Sequence, residues 1–154
     1  MPEPTSVHQK ATRQAAQAAF VPTMRELVRT YQAFAAYSEA HIRQFDLTSS
    51  QFDVVATLGN TDGLSMSDIG QKTLITKGTL TGVVDRLIKK DLVMRENLPG
   101  DRRSVIVSLT SKGQQVFEQV FPVHIAYLKT QFENLDPSEL ELLRILLSRL
   151  RQNF

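Results

Sequence analysis

No cysteine occurs among the 154 residues, which excludes a disulfide scaffold, a thiolate zinc site, a thiol nucleophile and a cysteine redox sensor. No apolar run approaches the roughly 20 residues a membrane span needs. The opening stretch from Met1 to Lys10 carries no apolar segment of the signal-peptide type, so a cytoplasmic protein is expected. Neither sign of charge dominates: 18 basic against 16 acidic residues leave +2, too little to announce a nucleic-acid binder. Glycine is missing from both flanks, with all seven residues between Gly59 and Gly113, whereas five of the six prolines fall outside that window. What remains is a chain of 42% hydrophobic residues, apolar enough to fold rather than stay disordered and long enough to bury a core.

The glycine-free flanks carry helical periodicity. Met24, Leu27, Val28, Tyr31, Phe34, Ala35, Ile42 and Phe45 recur at three- and four-residue spacing, with Pro22 suited to the first turn. The alanine-rich segment before Phe20 is helix-permissive but weakly apolar, and open to fraying. Thr48-Ser-Ser-Gln51 reads as a capping box ahead of Phe52, Val54, Val55 and Leu58. Near the other end, Phe117, Val120, Phe121, His124, Leu128, Phe132 and Leu135 form another stripe, with a kink expected at Pro122. Asp136-Pro-Ser-Glu139 then starts a closing helix with Leu140, Leu142, Leu143, Ile145, Leu146, Leu147 and Leu150. That is more apolar surface than one buried stripe requires. A twofold homodimer of interlocking terminal helices would cover it, and an intramolecular bundle is the alternative.

The middle segment is broken by turns into short pieces. Ser65 and Asp68 cap a short helix to about Thr73, and a turn follows at Leu74 and Ile75. Thr76 caps a second helix, ending near Lys90, whose buried face is Leu80, Val83, Val84 and Leu87. Two short helices so tightly joined form a helix-turn-helix. Leu92 to Glu96 and Ser104 to Leu109 read as strands joined through Pro99-Gly100-Asp101, with Arg102 and Arg103 at the tip. A helix-turn-helix followed by a basic-tipped hairpin is a winged helix, suited to duplex DNA with one helix in the major groove and the wing along the backbone. The second helix turns Lys77, Gly78, Thr79, Thr81, Gly82 and Asp85 away from its buried face. Small side chains there would let the backbone approach the groove floor.

These strings resemble the winged helix-turn-helix of the MarR family of bacterial regulators. The resemblance rests on Leu47-Thr-Ser-Ser-Gln-Phe52, Thr79-Leu-Thr-Gly-Val-Val-Asp-Arg-Leu87, Lys89-Lys-Asp-Leu-Val93, Asp101-Arg-Arg103 and Leu109-Thr-Ser-Lys-Gly113, in that order, and covers about Pro22 to Leu150. It implies a mainly α fold with a small β-hairpin wing. An N-terminal extension would span 1–21, a helical dimerisation region built from both termini would take 22–47 and 111–154, and the winged domain 48–110. It also implies a homodimer reading a palindromic site in double-stranded DNA. The DNA-facing set would be Ser67, Thr76, Lys77, Gly78, Thr79, Thr81, Gly82, Arg86, Arg102 and Arg103, with Asp101 bracing the wing arginines. Arg86 lies near the buried side of its helix, so an ion pair with Asp85 or Asp101 is equally open. Leu74 stands where many such turns have glycine, and Gly82 where some relatives have an arginine able to contact guanine.

The resemblance further implies a small aromatic or phenolic effector near Tyr37, His41, Phe45 and Phe52, although aromatics at helical spacing also serve as plain core. His8, His41 and His124 are far apart in sequence and suggest no metal site. No cofactor motif, glycine-flanked nucleophile or phosphate loop points to an enzyme. The reading is a sequence-specific, dimeric transcription regulator, a repressor by steric exclusion. The alternatives are a winged-helix scaffold for protein partners and a DNA regulator with no small-molecule input. The +2 also divides: residues before Leu64 carry five basic and six acidic groups, Leu64 to Thr110 eight and five, and the remainder five of each. The whole excess therefore sits in the winged segment.

Overall fold

The computed structural model describes residues 4–73 and 75–154; Leu74, in the expected turn, lies outside them, as do the side chains of residues 4–6 and of Arg102. The chain divides into two compact units, Met1–Tyr37 and Ser38–Phe154. In the first, the alanine-rich segment is a helix, α1 (Pro4–Ala16), and the start of α2 (Val21–Ile42) follows with Pro22 in its opening turn. Phe20, Met24, Val28, Tyr31 and Phe34 all remain exposed in this unit, Phe20 by 65%.

The second unit begins in the last turn of α2. The helix stops before Phe45, which falls in a 3-10 turn (Arg43–Phe45) closed by Asp46 in the left-handed conformation at φ 56°. Helix α3 (Ser49–Leu58) starts as its capping box requires. The Gln51 N–H donates to Thr48 Oγ1 at 3.2 Å, and Gln51 Oε1 accepts from the Thr48 N–H at 3.1 Å. Then come β1 (Leu64–Ser65), α4 (Met66–Lys72), α5 (Lys77–Lys89), β2 (Val93–Leu98), β3 (Asp101–Leu109), α6 (Ser111–Phe132) and α7 (Pro137–Arg151). Helix α6 continues through Pro122, and α7 opens on the Asp136 and Glu139 capping box.

The three strands form an antiparallel sheet in the order β1-β3-β2, with Val93 opposite Leu109 and an irregularity between Asn97 and Leu98. The paired wing reaches down to Asp101, longer than the β-branched run alone suggested. Apolar faces of α3, α4, α5, the sheet and α6 meet in one core, with Ile42, Leu58, Ile69, Leu80, Val84, Leu87 and Val107 sealed from solvent. Each such side chain contributes about 1.5–3 kcal/mol, so burial outweighs the roughly 1 kcal/mol of a helix cap. Two glycines mark the tightest joints. A Cβ at Gly59 would run into the Phe117 ring, and one at Gly113 into the Leu92 carbonyl. On α7, Leu140 is half-buried, whereas Leu142 is 57% exposed and Leu146 50%. Among the described residues, no helix is long and apolar enough to cross a membrane.

Candidate nucleic-acid interface

Helix α5 presents its polar face because Leu80, Val83, Val84 and Leu87 hold the opposite face in the core. Lys77, Gly78, Thr79, Thr81 and Arg86 are exposed, Gly82 is half-buried, and Ser67 is exposed on α4. Thr76 occupies the N-cap position, but its side chain does not cap. Its hydroxyl donates to Thr79 Oγ1 at 3.1 Å instead. The first-turn amides of α5 therefore keep no side-chain acceptor from Thr76, an arrangement suited to a phosphate oxygen.

The glycines of α5 differ in kind from Gly59 and Gly113. A Cβ at Gly78 would meet nothing within 4 Å, and one at Gly82 only the Arg86 guanidinium at 3.8 Å. Internal packing demands neither residue, although glycine inside a helix costs about 1 kcal/mol relative to alanine. Gly78 is bare, and Gly82 is flanked only by a cationic side chain, on a helix whose N-terminus and exposed lysine favour anions.

The charges around this helix are arranged differently from the sequence expectation. Asp85 pairs with Arg95 on β2 at 2.7 Å, not with Arg86. Arg86 forms no ion pair with a described residue, and neither do Lys77 and Arg103. Arg95 thus neutralises the one carboxylate on the polar face of α5, a role the sequence could not reveal because a strand had to be placed beside the helix. At partial exposure that pair adds little stability. Its effect is on the local potential, where an uncompensated carboxylate would repel phosphate.

At the wing, Asp101 does not grip an arginine side chain among the described ones. It accepts from the Ser104 hydroxyl at 2.6 Å and from the Arg103 N–H at 2.9 Å. The Ser104 bond chiefly, and then the Arg103 amide, hold its carboxyl below the ordinary carboxylate range. The residue fixes the backbone of the tip, with Gly100 at φ 87° in the turn, and so aims Arg103 indirectly. At the far end of α5, the Lys90 ammonium reaches the Asp46 carbonyl and, at 3.3 Å, the Asp46 carboxylate. Lys112 donates to the Lys90 carbonyl at 3.0 Å. These bonds fasten the exit of the helix to the α2–α3 connection and to the start of α6.

Of the expected effector residues, Tyr37 belongs to the first unit and His41, Phe45 and Phe52 to the second. His41 and Phe45 meet edge to face at 5.2 Å between ring centroids. Phe52 meets not His41 but His124, edge to face at 4.8 Å. The histidines that looked unrelated in sequence are partners, with His41 Nδ1 and His124 Nδ1 2.9 Å apart. His8 is exposed on α1, and among the described residues no cluster of three groups could hold a metal.

Comparison with known proteins agrees with this architecture. A family model described as the MarR family matches residues 47–105. The chain is 31% identical to the HTH-type transcriptional regulator MhqR of Bacillus subtilis (strain 168) over 127 residues, covering 82% of this chain and 88% of that protein. Among solved structures it resembles BpsR of Bordetella bronchiseptica, whose DNA binding is regulated by 6-hydroxynicotinic acid. The TM-score is 0.75 at 30% identity, covering 84% of this chain and 98% of that one. It also resembles a mutant MarR from E. coli complexed with operator DNA, with a TM-score of 0.76 at 25% identity over 87% and 99% of the two chains.

Proposed function

The chain belongs to the MarR family of winged-helix, DNA-binding transcriptional regulators rather than to any class of enzyme, and from that premise we propose that it is a homodimeric repressor reading a palindromic operator. The observation that carries this reading is the polar face of α5. It bears Gly78 with open space above it and Gly82 with only the Arg86 guanidinium near, Lys77 and Arg86 without ion pairs to described residues, and an aspartate already neutralised by Arg95. A helix lowered into the major groove needs a thin, cation-bearing surface of that kind. Thr79 and Thr81 would offer hydroxyls and methyls to base edges. Ser67 and the first-turn amides of α5 would face phosphates, and Arg102 and Arg103 would follow the backbone from the wing.

Dimerisation is supported by the apolar side chains left in solvent on α7 and in the first unit. In this reading 22–47 and 111–154 form the dimerisation region, 48–110 the reading head and 1–21 an extension. Two heads with their axes related by a twofold would address half-sites about one helical turn apart, roughly 34 Å. Exclusion of polymerase from such a site gives repression, and a duplex-DNA partner places this work in the cytoplasm. A small aromatic or phenolic molecule is the proposed releasing effector, acting beside His41, Phe45 and Phe52 of the second unit. Support comes from the similarity to a regulator controlled by 6-hydroxynicotinic acid. Such a ligand acts only through unequal affinity for the two dimer geometries.

Selection of preferred duplexes from a random pool tests the operator reading. Recovery of an inverted repeat, bound far more tightly than its scrambled version at moderate salt, is expected. Equal affinity for both refutes sequence-specific regulation. Repeating the binding with a panel of aromatic acids tests the effector, and affinity unchanged by every member removes it.

A further inference from the structure

The buried imidazole pair is used by none of the contacts proposed for DNA. His124 is 2% exposed and His41 8%. Their Nδ1 atoms lie 2.9 Å apart, and His124 Nε2 lies 3.1 Å from Ser38 Oγ. Either one imidazole donates to the other with Ser38 accepting from His124, or the direction reverses with Ser38 donating. In both cases a single proton lies between the two Nδ1 atoms and His124 is neutral. With both rings protonated, two N–H groups would face each other across that distance, each on a cation.

The surroundings offer little relief. Tyr127 of α6 stacks on His41 at 4.0 Å, Phe45 of the 3-10 turn meets its edge, and Phe52 of α3 meets His124. Glu39, the carboxylate nearest in sequence on α2, is engaged at the surface by Arg43 at 2.6 Å. Burial first, and then charge on His41, push the His124 imidazole below its ordinary value. The folded state therefore binds fewer protons than the unfolded chain as pH falls below about 6.5. The stabilisation from a neutral His124 is complete above that value and fades progressively as the pH drops towards the lowered value of His124.

We propose that the His41–His124 contact is a proton-sensitive catch between the last turn of α2 and α6, and that acidification opens it and weakens DNA binding. It rests on the DNA-binding reading for its second half and on the fold alone for its first. One extra proton taken up in the released state makes the dissociation constant rise by at most about tenfold per pH unit below the imidazole range.

The test measures the full-length protein on a duplex selected from a random pool at pH 7.5, with binding and thermal unfolding followed at pH 7.5 and 5.5 at fixed ionic strength. Wild type should bind about three- to tenfold more weakly at pH 5.5 and melt at a lower temperature. His124→Asn should show neither dependence, and His8→Asn should behave as wild type. Imidazole NMR of the wild-type protein covers the case in which His124→Asn does not fold: the titration of His124 should coincide with the loss of affinity. Wild-type affinity changing less than twofold, a loss that persists in His124→Asn, or a loss completed before His124 titrates overturns the catch. Absence of duplex binding at any pH overturns the DNA reading instead. The pH dependence of melting then decides the catch, and a melting temperature that does not fall in wild type, or falls equally in His124→Asn, overturns it.

Discussion

Replacing Gly82 by alanine should move stability and DNA affinity in opposite directions. Gly82 lies in the interior of the 13-residue α5, where glycine costs about 1 kcal/mol relative to alanine. The added Cβ would meet only the Arg86 guanidinium, at an ordinary contact distance of 3.8 Å. Gly82→Ala should therefore stabilise the fold by about 1 kcal/mol, raising Tm by roughly 2–4 °C for a chain of this size. On DNA, the same methyl would stand between the helix backbone and the groove floor. A tenfold loss of affinity, ~1.4 kcal/mol, is expected, within the range of one disturbed base contact. Thermal unfolding at one protein concentration and fluorescence anisotropy with a selected duplex give the two numbers. A variant that is stabilised but binds as tightly as wild type would refute the close approach of α5 to the groove. A destabilised variant would refute the unstrained fit of a Cβ at Gly82.

Other substitutions probe the remaining parts. Arg102→Ala with Arg103→Ala should weaken binding to all duplexes and reduce the slope of log affinity against log salt by about one for each phosphate no longer neutralised; an unchanged slope removes that role. Leu142→Asp with Leu146→Asp should convert a dimer to a monomer in sedimentation experiments, and a monomeric wild type, or a dimer that survives both charges, refutes the covering of α7 by a second copy. Gly113→Ala should destabilise by about 1–3 kcal/mol in chemical denaturation because its Cβ meets the Leu92 carbonyl, part of the backbone. A neutral effect would mean that the α5 exit and α6 can separate freely.

Local chemistry was the legible part of the sequence. Thr48 with Gln51, Ser65 with Asp68, and Asp136 with Glu139 each start a helix where expected, because a cap is decided within four residues. The buried face of α5 was equally plain from its spacing. Strand β1 was not, since two residues cannot show alternation and their pairing depends on β3 arriving more than 40 positions later. Arg95 with Asp85, Lys90 with Asp46 and His41 with His124 were hidden for the same reason: each joins separate elements brought together only by the core. Thr76 misled in the other direction, its cap position being right and its hydroxyl being turned to Thr79.

Strand β1, only Leu64 and Ser65, covers β3 at Val107 and Ile106 alone, while β2 forms the opposite border of the sheet. The outward backbone groups of β2 are an open invitation to another extended chain. Along that border stand Arg95, Glu96 and Asn97, all exposed, polar side chains that discourage stacking of wing on wing. On the proposed operator, the strand that neutralises Asp85 through Arg95 would also discourage crowded copies from zipping together. Any redesign of the wing for a new DNA site has to preserve that second, protective duty.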